Sequence, residues 1–477
     1  MTNNTDSTLL NASEFIKDRL YFTCVECTVD LKPTPTHHYF TLNNSIYYDS
    51  FYEDFGPLNL AKIYRFCTKL KKKLTNTGLK NKKIIHYVYD CTKDAKQNRV
   101  NSALLMGAYS IIYLSYTPEQ AFETLMKNSS KEFIKFRDAS FGEPYTITLL
   151  DCLKGIKKAL DYGFFNFDDF DHFKYEFYEQ VEHGDFNWIV PDKFIAFCGP
   201  QEVPLSWGDH KPKRYFDYFK NHNVSTVIRL NKKTYDSKIF KKAGFDHKDL
   251  YFEDGGTPSE SILQKFISIC EDAKGAIAVH CKAGLGRTGL MIACYIMKHY
   301  KFTAEEAIAW IRICRPGSII GPQQSWLQEK QKQMWEAGES YRKDNGIEAP
   351  IKHKMGIYSL TTGNDPYPVS YEKLLENLAD TGDNGRDPDE AFTGSFFTMN
   401  QGDQLNRIKL KRRKRVADIQ RCKHKLRNRP RKATFSSFYE GLTNNRNIPK
   451  KRVSSGEQGI KRKAKVLRRS LSDRNDQ

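Results

Sequence analysis

A histidine, a cysteine and an arginine stand in an order that suits chemistry on a phosphate group. Residues 276–289 read AIAVHCKAGLGRTG: a short apolar run ends at His280, Cys281 follows, and Arg287 comes after five intervening residues. The next stretch is apolar at helical spacing, which predicts a strand, a loop and a helix in that order. Backbone N–H groups and the helix dipole at such a loop attract anions.

This loop predicts a cysteine nucleophile that acts on a bound phosphoester. The local positive field stabilises the thiolate of Cys281, and the planar guanidinium of Arg287 can bind two phosphate oxygens at once. A thiolate next to a bound phosphoryl group is a nucleophile for phosphoryl transfer. We therefore predict a phosphatase that works through a phosphocysteine intermediate. The predicted phosphate-binding loop comprises Lys282, Ala283, Gly284, Leu285 and Gly286.

A phosphatase of this kind also needs an acid, because an alkoxide released from serine is a poor leaving group. Candidates lie upstream in LYFEDGGTP, where Glu253 and Asp254 precede two glycines and a proline. The glycines and the proline indicate a turn or a mobile loop. An aspartate in such a place can also be an ordinary turn former, so the residues alone leave both carboxylates as candidates.

A further candidate element, RPGSIIGPQQ, follows the catalytic helix at residues 315–324. Gln323 and Gln324 come after a Gly-Pro turn, where a side-chain amide can position the water that hydrolyses a phosphocysteine. A helix that starts after a proline is the alternative explanation for the same pattern. We predict a functional role for Gln323 first and for Gln324 second.

The same pattern occurs a second time, nearer the N-terminus. Residues 84–125 and residues 276–311 both run from an apolar strand through a cysteine-containing loop and an arginine into two successive helices. This predicts two tandem phosphatase-like α/β domains. In the first copy, seven residues separate Cys91 from Arg99, none of them is glycine, and Asp94 is one of them. We therefore predict that the N-terminal domain is a non-catalytic scaffold that helps to shape the substrate site.

The segment between the two copies, residues 146–184, has two parts. TITLLDCLKGIKKALDYGFF has helical apolar spacing and predicts a linker helix, whereas NFDDFDHFKYEFYEQVEHGDF is aromatic and acidic. A solvated acidic face and a groove that attracts a basic residue of the substrate explain the second composition equally well. The groove candidates, in order of preference, are Glu176, Glu179 and Glu182.

The charge of the chain is concentrated at its C-terminal end. Residues 401–477 contain 25 Lys and Arg against 6 Asp and Glu, which equals the net charge of +19 for the whole chain. This composition, with basic clusters at 409–415, 421–432 and 461–469, predicts a disordered tail. Such clusters suit nuclear import factors and weak contact with nucleic acid, and a solubilising tail is the alternative.

These observations divide the chain into five parts. They are a disordered start (1–12), the non-catalytic domain (13–145), the linker helix and acidic segment (146–184), the catalytic domain (185–340) and the disordered basic tail (341–477). Eleven cysteines without a framework and no secretory signal argue for a reducing compartment. The longest apolar stretch is too short to span a bilayer, so no membrane partner is predicted, and neither a metal nor a cofactor is expected.

The loop around Cys281 is similar to the motif of the cysteine-dependent tyrosine and dual-specificity phosphatases, His-Cys-x5-Arg followed by Ser or Thr. The chain closely resembles one family within that superfamily, the mitotic-exit dual-specificity phosphatases of the cell-division-cycle fourteen type. The resemblance covers about residues 10–340 and extends through the linker and both domains. It is carried by FNWIVPDKFIAFCGP, FKNHNVSTVIRLNKK, AGFDHKDLYFEDG, IAVHCKAGLGRTG and RICRPGSIIGPQQ.

The resemblance implies roles for individual residues. Cys281 is the expected nucleophile, Arg287 the phosphate clamp, and Thr288 a hydrogen-bond donor that helps the thiolate to leave in the second step. The resemblance also favours Asp254 over Glu253 as the general acid and then as the base for the attacking water.

The resemblance further implies a substrate class. It implies hydrolysis of phosphoserine, and less readily of phosphothreonine or phosphotyrosine, where proline follows and a Lys or Arg lies shortly after it. Cyclin-dependent kinases make such sites, so the activity opposes these kinases in mitotic exit and cytokinesis. The expected partners are phosphoprotein substrates of proline-directed kinases. The expected locations are the nucleus and cytoplasm, including the nucleolus, centrosome or spindle.

The sequence is also compatible with two other functions. Phosphoinositide phosphatases also have loops that begin His-Cys-Lys-Ala-Gly, but a second lysine typically stands where this chain has Leu285. One basic residue fewer favours a substrate with a single phosphate. A non-catalytic scaffold that binds phosphoproteins is the second alternative; against it, Cys281, Arg287, Thr288 and Asp254 are all present in the second copy.

Overall fold

The computed structural model describes residues 11–362, apart from 27–30, 42–47, 93, 129–130, 142 and 203–209, and also residues 402, 405, 406, 408 and 409. All of these belong to one compact unit, Met1–Ala417. The predictions for residues 1–10 and for the basic clusters beyond residue 409 therefore lie outside the described residues. Within the described ranges, no helix combines the length and the apolarity needed to cross a bilayer.

A four-stranded sheet with its helices forms the N-terminal half of the fold. The strand order is β1-β2-β4-β3, with β1 antiparallel to β2 and the other pairs parallel. The elements are β1 (Ser13–Ile16), β2 (Leu20–Val25), β3 (His37–Phe40), α1 (Leu60–Thr75), β4 (Lys83–Tyr89), α2 (Ala95–Tyr113) and α3 (Pro118–Met126), followed by the small sheet of β5 (Phe136–Arg137) and β6 (Thr146–Ile147).

A five-stranded sheet forms the second half. Its order is β10-β9-β11-β8-β7, and β7 is the antiparallel strand. The elements are α4 (Leu149–Asp161), α5 (His172–Glu179), β7 (Phe186–Val190), β8 (Phe194–Phe197), α6 (Phe216–Asn221), β9 (Val224–Arg229), α7 (Lys238–Lys242), β10 (Asp246–Asp249), α8 (Glu260–Asp272), β11 (Ala276–His280), α9 (Gly286–Tyr300), α10 (Ala304–Cys314) and α11 (Gln323–Asp344).

The two halves share four strands in the same order, to which the second half adds β10 at the edge, so the predicted duplication is confirmed. In each sheet an antiparallel hairpin, β1–β2 or β7–β8, lies beside the strand that leads to the cysteine, which is β4 or β11. The helix pairs that follow also begin alike. Thr117 of the first half and Thr303 of the second each form a capping box with the side chain three residues later, Gln120 and Glu306, which satisfies the free N–H groups of α3 and α10.

Helix α4 lies where the linker helix was predicted and packs between the halves. It contacts α2 and α3 on one side and α10 on the other. Gly155 permits the close approach to α10, because a Cβ at this position would lie 2.8 Å from the carbonyl oxygen of Glu306. The linker is therefore an interior element of the fold and fixes how the N-terminal half presents its loops to the second half.

The folded region extends past residue 340, which corrects the predicted start of the tail. Helix α11 continues to Asp344, and Ser359 then pairs with Phe170 of the acidic segment. Tyr358 is 4% exposed, and its hydroxyl accepts the Trp188 N–H at 3.2 Å. The sequence here is polar on average, but a few apolar side chains fill a gap in the core, and their burial outweighs the average composition.

Candidate active site

The central strand of the five-stranded sheet leads directly to Cys281. Strand β11 lies between β8 and β9 and ends at His280. Cys281 follows at the carboxyl edge of the parallel strands, the edge at which ligand sites of α/β sheets form. The loop then enters α9 at Gly286, so the N-terminus of a helix ends the loop that begins at Cys281, a residue 3% exposed.

The carbonyl groups of Cys281 and Lys282, the first two of this loop, accept hydrogen bonds from residues that lie outside the loop. His280 Nδ1 lies 3.0 Å from the carbonyl oxygen of Cys281, and the Gly199 N–H donates to the carbonyl of Lys282 at 3.0 Å. Position 199 requires glycine, because a Cβ there would lie 2.2 Å from the carbonyl oxygen of Cys281. These contacts turn both carbonyls away from the predicted phosphate site.

Arg315 holds the next two carbonyls in the same way. Its Nε donates to the carbonyl of Gly284 at 2.7 Å, and its Nη2 donates to that of Ala283 at 3.2 Å. Asp185, 2.8 Å from Nη2, balances its charge, and both side chains are buried. Since the N–H and C=O of a trans peptide point in opposite directions, outward carbonyls leave the N–H groups of the loop facing inward, in the form of an anion-binding nest.

Arg287 is fixed at the opening of this nest. Its Nη1 donates to the carbonyl of Phe252 at 2.9 Å, and its Nη2 lies 3.0 Å from Asp254 Oδ1. The side chain is 3% exposed, yet its Nε has no hydrogen-bond partner among the described residues. A buried donor without a partner costs about 1–3 kcal/mol, so this N–H is available for a bound anion.

The Thr288 hydroxyl shows the same feature in the first turn of α9. The residue is completely buried, and its Oγ1 lacks a hydrogen-bond partner within the described part of the chain. The hydroxyl can therefore donate to a charge that forms in the loop without breaking an existing bond.

The structure brings Asp254, and not Glu253, to the loop. Glu253 is exposed and accepts a hydrogen bond from the hydroxyl of Tyr251. Asp254 pairs with Arg287, and its other oxygen accepts the backbone N–H of Gly402 at 2.9 Å. The two residues that the sequence assigned to acid catalysis and phosphate binding thus lie side by side.

Gln323 connects the phosphate loop with the acid loop. Its side chain is fully buried, its Oε1 accepts a backbone N–H at 3.0 Å, and its Nε2 donates to the carbonyl of Gly256 at 3.2 Å. It also lies against Gly286, where a Cβ would come within 3.1 Å of Oε1. Gln323 is therefore at the site, but its amide is already bound to the protein on both sides.

The N-terminal half reaches into the catalytic half through Asp138. This buried carboxylate accepts the backbone N–H of Gly321 at 2.6 Å and Nε2 of Gln324 at 3.3 Å. Gln324 thus points away from the phosphate loop and toward the other domain. These contacts support the predicted scaffold role, since the N-terminal half holds the turn that carries Gln323.

The counterpart of the phosphate loop in the N-terminal half has different chemistry. Cys91 is disulfide-bonded, so it is not a thiolate. Arg99 donates to the carbonyls of Lys131 and Glu132 and stacks on the ring of Phe133. Neither residue is arranged to hold a phosphate, in agreement with the predicted loss of catalysis.

An apolar wall stands beside the phosphate loop. We define it as Phe51 and Ala139 of the N-terminal half together with Ala283, Leu285 and Ile320 of the catalytic half, all of them buried. Leu285, which replaces the second lysine of phosphoinositide phosphatases, is thus part of an apolar surface. Leu405 packs against this wall, with Ile408 beside it.

The contact of the C-terminal segment with the site was missed by sequence reasoning. Residues 402, 405, 406, 408 and 409 are helical, and Lys409 Nζ donates to Asp185 Oδ2 at 2.6 Å and to the carbonyl of Ala283 at 2.7 Å. Burial lowers the pKa of Lys409. Burial alone would raise the pKa of Asp185, but Lys409 and Arg315 outweigh it and lower that pKa. The available signal was the pair Leu405 and Ile408, apolar at helical spacing within a basic tail.

The predicted acidic groove is only partly an open acidic surface. Glu176 forms a bidentate ion pair with Arg65, at 2.9 Å from Nε and 2.5 Å from Nη2. Glu179 accepts from Asn59 Nδ2 at 3.2 Å, and Glu182 is half-buried in a 3₁₀ turn. In the described part of the chain, no cluster of His, Cys, Asp and Glu side chains could hold a metal ion.

Comparison with known proteins decides the family. Residues 14–159 match a family model described as the N-terminal half of dual specificity protein phosphatases, and residues 204–301 match that of a phosphatase of polymorphic toxin systems. The human dual specificity protein phosphatase CDC14A is 49% identical over 414 residues, which cover 86% of this chain and 68% of the human protein. The chain belongs to the CDC14 family of dual-specificity protein phosphatases.

Other CDC14 proteins show the same relation. The mouse dual specificity protein phosphatase CDC14B is 47% identical over 415 residues, covering 85% of this chain and 81% of the relative. The tyrosine-protein phosphatase CDC14 homologue of Schizosaccharomyces pombe is 39% identical over 326 residues, covering 66% of this chain and 60% of the relative. The family predicted from the motifs is therefore confirmed, with a similarity that runs through both halves of the fold.

Proposed function

We propose that the chain hydrolyses phosphoserine, phosphothreonine and phosphotyrosine in proteins through a phosphocysteine intermediate, with preference for phosphoserine followed by proline and a downstream basic residue. One observation carries the proposal: Cys281 lies in a nest of inward N–H groups, and Arg287 joins that nest to Asp254. Membership of the CDC14 family supports the class of reaction.

The first step transfers the phosphoryl group to the cysteine. The thiolate sulfur of Cys281 attacks phosphorus, and the bond from phosphorus to the serine oxygen breaks as the S–P bond forms. Arg287 and the loop N–H groups bind the phosphoryl oxygens, where negative charge is concentrated. Asp254, held 3.0 Å from the same guanidinium, donates its proton to the leaving oxygen, so that serine departs as a neutral alcohol.

The second step returns the thiolate. Asp254, now a carboxylate, accepts a proton from the attacking water, and the S–P bond breaks as phosphate forms. The unpaired hydroxyl of Thr288 donates a hydrogen bond to the sulfur as it regains negative charge. Gln323 maintains the distance between the acid loop and the phosphate loop through its bond to Gly256; the predicted contact with the attacking water stays a prediction.

The apolar wall supports a proline directly after the phosphorylated residue. Its five side chains contain no ionisable group, and a pyrrolidine ring offers apolar surface without an N–H that needs a partner. Leu405 occupies this wall in the structure, so the wall can pack against an apolar side chain of a peptide segment, and a substrate proline would have to take the place of Leu405. A multiply phosphorylated inositol ring would meet the same wall without gaining a cation there.

The acidic segment supports recognition of a downstream Lys or Arg. Glu176, Glu179 and Glu182 lie on one helical turn and the 3₁₀ turn that follows it, and a negative groove accelerates the association of basic substrates. Because Arg65 already pairs with Glu176, a basic substrate residue must share that carboxylate or displace the arginine. Charge reversal at Glu176 therefore removes an acceptor and leaves Arg65 as an unpaired positive charge.

The Glu176→Lys variant should lower kcat/KM for a phosphoserine-proline peptide with a downstream lysine by about five- to tenfold. Hydrolysis of an aryl phosphate should be unchanged, because that substrate does not reach the groove. Glu336→Lys, a charge reversal at a side chain 64% exposed on α11, is the matched control. Equal loss on the peptide and on the aryl phosphate would remove the groove from the proposal.

The phosphoinositide alternative is tested on the same enzyme. Phosphate release is measured side by side from phosphoserine-proline peptides and from phosphoinositides in vesicles. The apolar wall at Leu285 favours the peptides, and faster turnover of the phosphoinositides would overturn the proposed substrate class.

In the cell, we propose that this activity opposes cyclin-dependent kinases during mitotic exit and cytokinesis. The proposed locations are the nucleus and cytoplasm, including the nucleolus, centrosome or spindle. The basic clusters of the tail are proposed to bind nuclear import factors, with weak nucleic-acid contact as a second role, on the basis of their charge.

Truncation after Leu410 separates import from activity, because it removes the clusters beyond that residue and keeps the docked residues Leu405 and Lys409. We expect nuclear accumulation of a fluorescent fusion to fall clearly, while hydrolysis of an aryl phosphate in vitro is retained. Unchanged accumulation would dispose of the import role and leave a solubilising tail.

A further inference from the structure

A buried chain of hydrogen bonds leads from the catalytic loop to the next strands of the sheet. The Tyr235 hydroxyl lies 2.7 Å from His280 Nε2 and 2.8 Å from His247 Nε2. His280 in turn reaches the carbonyl oxygen of Cys281 through its Nδ1 at 3.0 Å. Tyr235, His247 and His280 are all at most 5% exposed, so the chain is shielded from water.

The hydrogen-bond partners of His280 and Tyr235 determine where each proton lies in this series of hydrogen bonds. A carbonyl oxygen only accepts, so His280 Nδ1 carries a hydrogen and donates to Cys281. Burial lowers the pKa of His280 to about 3, which leaves the ring neutral with Nε2 as an acceptor. The Tyr235 O–H therefore donates to His280, because burial raises the pKa of this phenol and keeps it protonated.

The position of the hydrogen on His247 follows from the number of hydrogens that Tyr235 can donate. Tyr235 has one proton, which is committed to His280, so its oxygen accepts from His247 Nε2–H. Burial lowers the pKa of His247 to about 4, and its Nδ1 has no hydrogen-bond partner among the described residues. A hydrogen on Nε2 gives the buried donor a partner, whereas a hydrogen on Nδ1 would leave it unsatisfied.

The series of hydrogen bonds ends at the Cys281–Lys282 peptide, which belongs to the anion nest. His280 Nδ1–H draws the Cys281 carbonyl outward, and the planar trans peptide then directs the Lys282 N–H toward the loop interior. Rotation of this peptide would remove one N–H from the phosphate and place a carbonyl dipole near the thiolate. Its orientation thus affects both the charge state of Cys281 and the binding of the phosphoryl group.

We propose that Tyr235 is a positioning residue for phosphoryl transfer, which acts through the fixed tautomer of His280 to hold the Cys281–Lys282 peptide with its N–H toward the phosphate. The proposal rests on Cys281 being the nucleophile. Without the Tyr235 hydroxyl, either ring nitrogen of His280 can carry the hydrogen, and the carbonyl of Cys281 loses its obligatory donor.

Among the described residues, the His280 ring has no hydrogen-bond partner besides the Tyr235 hydroxyl and the Cys281 carbonyl. The charged groups that act on His247 are Arg229, Asp249, Lys241 and Asp246. Arg229 and Asp249 pair with each other through two bonds of 2.7 and 3.1 Å. Arg229 also donates to the backbone carbonyl of Tyr235 at 2.6 Å, so it anchors the main chain and leaves the hydroxyl to the two histidines. The ion pair thereby fixes the position of Tyr235 relative to the loop.

The test is the variant Tyr235→Phe in the full-length chain, with Tyr218→Phe as matched control. Tyr218 is also buried, and its hydroxyl accepts a hydrogen bond from Trp188 Nε1 at 2.9 Å. We measure the rate of iodoacetamide alkylation at Cys281 by peptide mapping between pH 5 and 9. This readout needs no turnover, so it separates a failure of the positioning role from a failure of the proposed function.

For Tyr235→Phe we expect the midpoint of the alkylation profile to move upward by about half a pH unit or more. We expect kcat on an aryl phosphate to fall about three- to tenfold, while Tyr218→Phe leaves both unchanged. The double variant His280→Asn/Tyr235→Phe should restore part of the alkylation profile that Tyr235→Phe loses, because an asparagine amide can donate to the Cys281 carbonyl without help from Tyr235.

An unchanged alkylation profile and unchanged kcat in a Tyr235→Phe protein that unfolds at the wild-type temperature would overturn the proposal. If the variant proves less stable, both profiles are measured at a temperature well below its unfolding transition. Equal changes in Tyr235→Phe and Tyr218→Phe would likewise reduce the effect to general packing and reject a specific role for the chain.

Discussion

Replacing Cys281 with serine is expected to abolish hydrolysis of both aryl phosphates and phosphoserine peptides, with a loss of about 10⁴-fold or more. A serine hydroxyl is a much weaker acid than a thiol and stays protonated, so the loop can bind the phosphate, but its side chain no longer attacks phosphorus. Because the loop carbonyls are bound by His280, Gly199 and Arg315, the smaller side chain should leave the anion nest intact.

The same variant separates an enzyme from a phosphoprotein-binding scaffold. We expect Cys281→Ser to retain binding of a phosphoserine-proline peptide, measured by calorimetry, with an affinity close to that of the wild type. Wild-type protein that binds the peptide but releases no phosphate would favour the scaffold. Full activity of Cys281→Ser would show that the nucleophile lies elsewhere.

Replacing Asp254 with asparagine is expected to lower kcat on phosphoserine peptides by about 10²–10³-fold. The serine alkoxide then leaves without a proton, because an amide can neither donate one of comparable acidity nor accept one from water. An aryl phosphate with an acidic phenol as leaving group needs less help, so its turnover should fall much less. The dependence of kcat on leaving-group acidity, measured over a series of aryl phosphates, should become steeper.

Glu253→Gln provides the matched control at the neighbouring carboxylate. Glu253 is exposed and bound to Tyr251, so its replacement should leave kcat unchanged on both kinds of substrate. A larger loss in Glu253→Gln than in Asp254→Asn would reverse the assignment of the acid. Because Asp254 also pairs with Arg287, KM is measured in parallel to separate a binding defect from lost proton transfer.

The reaction was predictable because its machinery is local in the chain. Cys281, the loop glycines and Arg287 lie within seven consecutive positions, and a strand followed by a tight loop and a helix can take few shapes. The duplication was predictable for a related reason: the two halves repeat the same order of strand, loop and capped helix, which is visible as apolar periodicity and threonine caps.

The surroundings of the loop were not predictable, because they depend on contacts between distant segments. Asp185, Arg315 and Lys409 meet beside the loop carbonyls, although helix α11 and a long further stretch of sequence separate Arg315 from Lys409. The Arg65–Glu176 pair joins α1 to α5. One carboxylate of the acidic segment is therefore already paired, and the acidic composition alone does not indicate an open negative groove. Single-sequence patterns report which residues are charged, but not which charges are already paired.

The sequence by itself predicted the class of reaction and the family, both of which are confirmed, and it singles out Cys281 as the expected nucleophile, because bond making at phosphorus needs a few residue types at short spacing. Only the tertiary structure decided how those residues are held. Asp254 rather than Glu253 reaches Arg287, Asp138 of the other half supports the turn before Gln323, and Leu405 packs at the site. These outcomes depend on burial and on the pairing of buried polar groups, which are properties of the packed chain and not of any local stretch.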